Sequence, residues 1–114
     1  MHELSIVESL IDLCEENALA NNAKDIQEIY INIGRLSGVE VDLFKRCFET
    51  FKENSQFCKN AKLFIEITPL EILCLKCDQK SILKENIFKC PCCSSIDYKI
   101  IQGEDLHLMR LIMQ

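Results

Sequence analysis

Residues 74–93 read CLKCDQKSILKENIFKCPCC, and the spacing of Cys74, Cys77, Cys90 and Cys93 is C-x2-C-x12-C-x2-C. Two such pairs suit a tetrahedral tetrathiolate zinc site. The two-residue gap lets both sulfurs of a pair turn toward one point about 2.3 Å away. The spacer is long enough for a short hairpin that brings the second pair opposite the first. The surrounding stretch is poor in apolar residues, so metal binding is expected to supply its folding free energy. Four protein ligands leave no open coordination position, which makes a structural zinc ion the expectation and a catalytic one unexpected.

Outward from this stretch, composition narrows the alternatives. The chain has 114 residues, 48% of them hydrophobic, with three glycines and two prolines. That suits one domain, or a compact domain with a small appendage, and no disordered linker is evident. The first thirteen residues carry Glu3, Glu8 and Asp12 and no basic cluster. They do not read as a signal peptide, and no run reaches membrane-span length. A cytoplasmic, reducing location is expected, where eight cysteines favour metal over disulfides. The formal net charge of −5 argues against nucleic acid, since phosphate binding calls for a basic surface. A thioredoxin-type CxxC would need a helix N-terminus in a βαβ setting, and none surrounds Cys74 or Cys90.

The pattern along the chain predicts an α+β fold. Leu4, Val7, Leu10, Ile11, Cys14 and Ala18 recur at helical spacing. Ser5 and Glu8 have capping-box spacing, and Asn21-Asn22 closes the helix. Ile29, Ile31 and Ile33 alternate with polar residues as a strand stopped by Gly34. Phe44, Cys47, Phe48 and Phe51 mark a second helix over about 39–53. Leu63, Ile65 and Ile67 form a second strand ended by Pro69. Leu106 to Met113 is apolar on both faces and is expected inside a sheet. The chain would then leave an α/β core near Pro69, build the cysteine module, and return. The expected divisions are 1–70 plus 99–114 and an inserted zinc-ribbon-like module at 71–98, with two helices packed on a small mixed or antiparallel sheet. Cys14 and Cys47 are expected as core thiols, Cys58 at the surface in a polar loop, and His107 as an ordinary strand residue.

The opening Met1-His2-Glu3 offers a second metal possibility. The α-amine, the His2 amide nitrogen and the His2 imidazole can form fused chelate rings around Ni²⁺ or Cu²⁺. Such binding displaces protons, so its affinity rises with pH.

The start MHELSIVESL, the strand ending Ile33-Gly34, the SGVE of 37–40, the two CxxC pairs and the GEDLHLM of 103–109 together resemble the HypA/HybF family of hydrogenase nickel-incorporation proteins. The resemblance runs the whole length of the chain. It implies a non-enzymatic nickel metallochaperone with an α/β nickel-binding domain and a zinc-ribbon-like domain. Such a protein would work with the GTPase HypB, deliver Ni²⁺ as cargo to the large subunit of [NiFe] hydrogenase, and in some bacteria serve urease through its accessory proteins. The nickel site it implies is Met1 through its amine, His2 as the essential ligand, and Glu3 and Glu40 as further candidates. Ser37-x-x-Glu40 is also a capping-box pattern. The chain departs from the family at Cys92, which offers a rival fourth zinc ligand to Cys93, and at Asp78, Gln79 and Ser94, where some relatives carry histidines. The rival reading is a zinc-ribbon adaptor that mediates protein or nucleic-acid contacts.

Overall fold

The computed structural model describes residues 3–84 and 87–114. It comprises α1 (Glu3–Ala20), β1 (Ile26–Gly34), α2 (Val41–Phe51), a 3-10 turn (Lys52–Asn54), β2 (Lys62–Thr68), β3 (Leu70–Cys74), β4 (Lys80–Leu83), β5 (Tyr98–Gln102) and β6 (Leu106–Met113). Contacts divide the chain into two compact units. One comprises 1–31, 39–66 and 107–114; the other comprises 32–38 and 67–106. The expected module at 71–98 lies within the second unit, which also takes in 99–106 because β5 pairs with β3.

In the first unit, α1 turns Val7, Leu10, Ile11, Cys14 and Ala18 inward, as its periodicity dictates. It begins at Glu3, so Ser5 lies inside the first turn and does not cap it. Its C-terminal end is a Schellman motif. Asn22 takes a left-handed φ of 54°, its N–H donates to Leu19, and the Ala23 N–H donates to Ala18. The second helix is shorter than expected. It buries Phe44 and Phe48, leaves Cys47 half-buried, and tightens into the 3-10 turn after Phe51. Each of these two rings contributes about 2–3 kcal/mol of burial.

The sheet order is β2-β1-β6. The Arg35 N–H donates to Thr68 O, which sets the C-terminal ends of β1 and β2 side by side; the two strands are parallel. The Gln114 N–H donates to Asp25 O and the Gly34 N–H to Asp105 O, so β6 runs antiparallel to β1. The central strand is therefore β1, and β6 is an edge strand, contrary to the expectation that its two apolar faces placed it inside. Its residues are half-buried or exposed throughout. The apolarity serves partial cover on both faces, without a second neighbouring strand. On the face carrying Tyr30, the ring stacks on Phe64 at 4.8 Å, and the Arg110 guanidinium lies 4.2 Å from its centre.

The second unit holds an antiparallel sheet of order β4-β3-β5. Its apolar core is small: Leu70, Ile72 and Leu83 are buried, with Tyr98 and Ile100 packed against them. The Arg35 guanidinium donates to the Leu83 carbonyl. Two glycines permit a tight backbone crossing in this unit. A Cβ on Gly34 would lie 2.4 Å from Gly103 C and O, and one on Gly103 would lie 2.7 Å from Leu70 Cα. Gly103 also has a φ of +106°. Gly34→Ala and Gly103→Ala should each cost at least about 3 kcal/mol. Gly38→Ala, at a φ of +80° in open space, should cost only about 1 kcal/mol. Denaturant unfolding of the three variants checks this, and equal losses would count against the close approach.

Candidate metal centre

The four cysteines sit on two turns built alike. Cys74 ends β3 and opens a turn that leads to β4; Cys90 opens the equivalent turn before β5. The Asp78 N–H donates to Cys74 O at 3.0 Å and the Ser94 N–H to Cys90 O at 2.8 Å. In return, the Cys74 N–H donates to Gln79 O at 3.0 Å and the Cys90 N–H to Ser95 O at 2.9 Å. The residue after each pair, Asp78 (φ 58°) and Ser94 (φ 62°), is left-handed. Short polar side chains tolerate that conformation better than most. This reversal turns backbone N–H groups onto the sulfurs. Those of Lys76 and Cys77 lie 3.4 and 3.5 Å from Cys74 Sγ.

The Sγ atoms of Cys74, Cys77, Cys90 and Cys93 all lie within 4.8 Å of one another. The closest pairs are Cys74–Cys93 at 3.5 Å and Cys77–Cys90 at 3.7 Å. A tetrahedron of sulfurs about 2.3 Å from a zinc ion has an edge of about 3.8 Å, so the donors fit that ion. Cys74 and Cys90 are buried, Cys77 is half-buried and Cys93 faces solvent. Among the described residues this is the one group of three or more such donors that converges. Cys92 is exposed and outside the group.

The thiols feel one another. The N–H groups of Cys77 and Lys76 stabilise a thiolate at Cys74 and hold its pKa down to about 7. The Gln79 N–H acts the same way on Cys77, but burial and the neighbouring sulfurs of Cys74, Cys90 and Cys93 outweigh it and push that thiol up to about 12. The neighbouring sulfurs push the Cys77 and Cys93 thiols up, so these two hold their protons more tightly than a free thiol. A divalent cation would relieve the repulsion and release the protons.

The other expected donors lie in the first unit. Met1 and His2 fall outside the described residues. Glu3 opens α1, is buried, and its Oε2 accepts the Glu40 N–H at 2.9 Å. Glu40 is the N-cap of α2. Its two oxygens accept the N–H groups of Asp42 at 3.3 Å and Leu43 at 3.1 Å. The cap is thus Glu40 itself; in the expected Ser37 capping box it would have been the third residue after the cap. The structure brings Glu3 and Glu40 together across 37 positions of sequence, which no local pattern signalled. Nor does the periodicity of the chain signal the left-handed Asp78 and Ser94, although a short polar residue follows each CxxC. His107 is an exposed residue of β6. Among the described residues, no helix is long and apolar enough to cross a membrane.

Comparison with known proteins gives a consistent result. The family described as "Hydrogenase/urease nickel incorporation, metallochaperone, hypA" matches residues 1–113. A hydrogenase maturation factor HypA from Campylobacter jejuni is 82% identical over 114 residues, covering 100% of both chains. One from Shewanella baltica is 47% identical, covering 100% of this chain and 97% of its own. The solution structure of the nickel metallochaperone HypA from Helicobacter pylori superposes with a TM-score of 0.76 at 38% identity, covering 99% of this chain and 97% of that one. These are metallochaperones and not enzymes, and on this evidence the chain belongs to the HypA family of hydrogenase and urease nickel-incorporation proteins.

Proposed function

We propose that the protein binds Ni²⁺ reversibly at its N-terminus and hands it to the large subunit of [NiFe] hydrogenase during maturation. A structural Zn²⁺ is held by Cys74, Cys77, Cys90 and Cys93. The observation that carries this reading is the family match over residues 1–113, which includes both Met1-His2-Glu3 and the converging cysteines. The nickel donors are the Met1 amine, backbone nitrogen and the His2 imidazole. Glu3 supports them by fastening the start of α1 to the backbone of Glu40. In this reading the GTPase HypB is the working partner, urease accessory proteins are a second set of partners, and the location is cytoplasmic. A cargo site of one imidazole and terminal nitrogens suits release, whereas four thiolates hold an ion closed.

Both metals displace protons, so both should bind more tightly as pH rises. The terminal amine titrates near about 8, and Cys77, pushed up to about 12, must give up its proton at any neutral pH. Metal analysis and nickel titration on untagged protein at pH 6.5 and 8 test the scheme. One zinc per chain is expected, with nickel affinity higher at pH 8. An N-terminal extension or His2→Ala should abolish nickel binding and leave zinc untouched. Zinc without nickel, tagged or untagged, would bring the adaptor reading forward.

Two further outcomes follow from the geometry. Cys92→Ser should retain zinc, while Cys93→Ser should lose it, because only Cys93 Sγ joins the cluster; metal analysis of the two proteins decides. Glu40→Ala should destabilise the fold by about 1 kcal/mol through loss of the α2 cap, with nickel affinity unchanged. A weaker nickel affinity in a still-folded variant would make Glu40 a ligand.

A further inference from the structure

The second unit leaves apolar side chains in solvent although its own core is small. Leu70, Ile72 and Leu83 form the buried cluster, yet Ile82 is 49% exposed, Ile87 53% and Phe88 42%. A single exposed isoleucine is ordinary; here two of them face one concave place. Ile82 and Leu83 end β4, and Lys84 follows them. Ile87, Lys89 and Pro91 come from the stretch that leads into the second cysteine pair. Together these six residues line an open cleft of about 400 Å³, which is within the range of ligand and anchor pockets. A contiguous apolar concavity with a polar rim is the usual mark of an interaction site.

Charge selects the occupant. Lys84 and Lys89 are exposed and both line the cleft. Among the described residues neither is joined to a carboxylate. The whole chain carries −5, but residues 72–96 hold four lysines against Asp78 and Glu85, a local excess of two positive charges. The rest of the lining is aliphatic and offers no polar group to orient a small ligand. A small molecule lying there would stay largely in water, because Ile82 and Ile87 are half exposed. A chain running across the cleft would cover both.

We propose that this cleft docks an extended segment of a partner protein in which aliphatic residues are flanked by aspartates or glutamates. The aliphatic side chains enter between Ile82, Ile87 and Pro91, and the carboxylates on either side meet Lys84 and Lys89. Apolar contact supplies most of the affinity, since exposed ion pairs contribute little. The lysines select against basic segments. One cleft and two surface charges make a transient complex, with a Kd of about 0.1–1 mM for a short peptide. No cysteine and no residue of the N-terminal Met1-His2-Glu3 lines the cleft, so failure of this surface would leave both metal assignments standing.

The test is an amide proton–nitrogen NMR titration of the full chain with the peptide acetyl-DELLED-amide. Saturable shifts are expected at the amides of Ile82, Lys84, Ile87 and Lys89, and not in the first unit. The peptides DESSED, without leucines, and KRLLRK, of opposite charge, should each bind at least about tenfold more weakly. Ile87→Ser should weaken DELLED by about tenfold. The double variant Lys84→Glu, Lys89→Glu should do the same and reverse the preference, so that KRLLRK binds better than DELLED. All three positions are exposed, so these variants should keep the fold, and an unchanged spectrum elsewhere verifies it. The peptide series on the wild-type chain decides even where a variant does not fold. No shifts at these amides, equal response to DELLED and KRLLRK, or shifts confined to the first unit would overturn the proposal. Saturable shifts with dodecanoate where DELLED gives none would make the cleft a small-molecule site and overturn it as well.

Discussion

Four sulfurs brought within 4.8 Å of one another are the constraint on which the second unit depends. As thiolates they repel; as thiols they form only weak hydrogen bonds. The apolar cluster of Leu70, Ile72 and Leu83 is too small to impose that geometry on a sheet of short strands. Leu75, Ile82, Ile87 and Ile96 are exposed and add nothing to it. A divalent cation would resolve the conflict, since four thiolate bonds would replace the repulsion and metal affinity would become part of the folding free energy. The backbone has prepared for this. Both turns place a left-handed residue after the second cysteine, and N–H groups are already directed at the Cys74 sulfur.

The first unit rests on different physics. Its helices and central strand bury an ordinary apolar core in which Phe44 and Phe48 are fully enclosed. The unusual feature is the start of the chain. Chain ends are commonly loose unless tied down. Here the buried Glu3 carboxylate accepts a backbone N–H immediately before α2, so the helix following Met1-His2 begins at a determined place. A carboxylate in the first turn also suits the positive end of the helix dipole.

The eight cysteines have separate fates because their surroundings differ. Four converge. Cys92 points away beside them, although one residue separates it from Cys90. Cys47 is half-buried on α2, and Cys14 and Cys58 are enclosed in the interior. Thiol chemistry follows burial, neighbouring donors and sulfur–sulfur contact, none of which a residue count reveals.

Much of this was legible in the sequence for local reasons. The period of 3.6 in α1, the alternation of Ile29, Ile31 and Ile33, and the CxxC spacing each arise from a few adjacent residues. Each therefore specified its helix, its strand and its converging set of cysteines without reference to the rest of the fold. Tertiary structure alone decided the long-range features. Leu106 to Met113 looked central but lies at a sheet edge, because a strand's apolarity records how much of it is covered and not which element covers it. Cys58 looked exposed in a polar loop but is buried, because Ser55 and Glu15 draw that loop onto α1. Glu40 caps α2 and meets Glu3 across 37 positions, a pairing set by where two helices happen to start. Sequence carries the short-range physics of propensity and spacing, whereas the partner of an edge, a thiol or a carboxylate exists only once distant parts of the chain have been brought together.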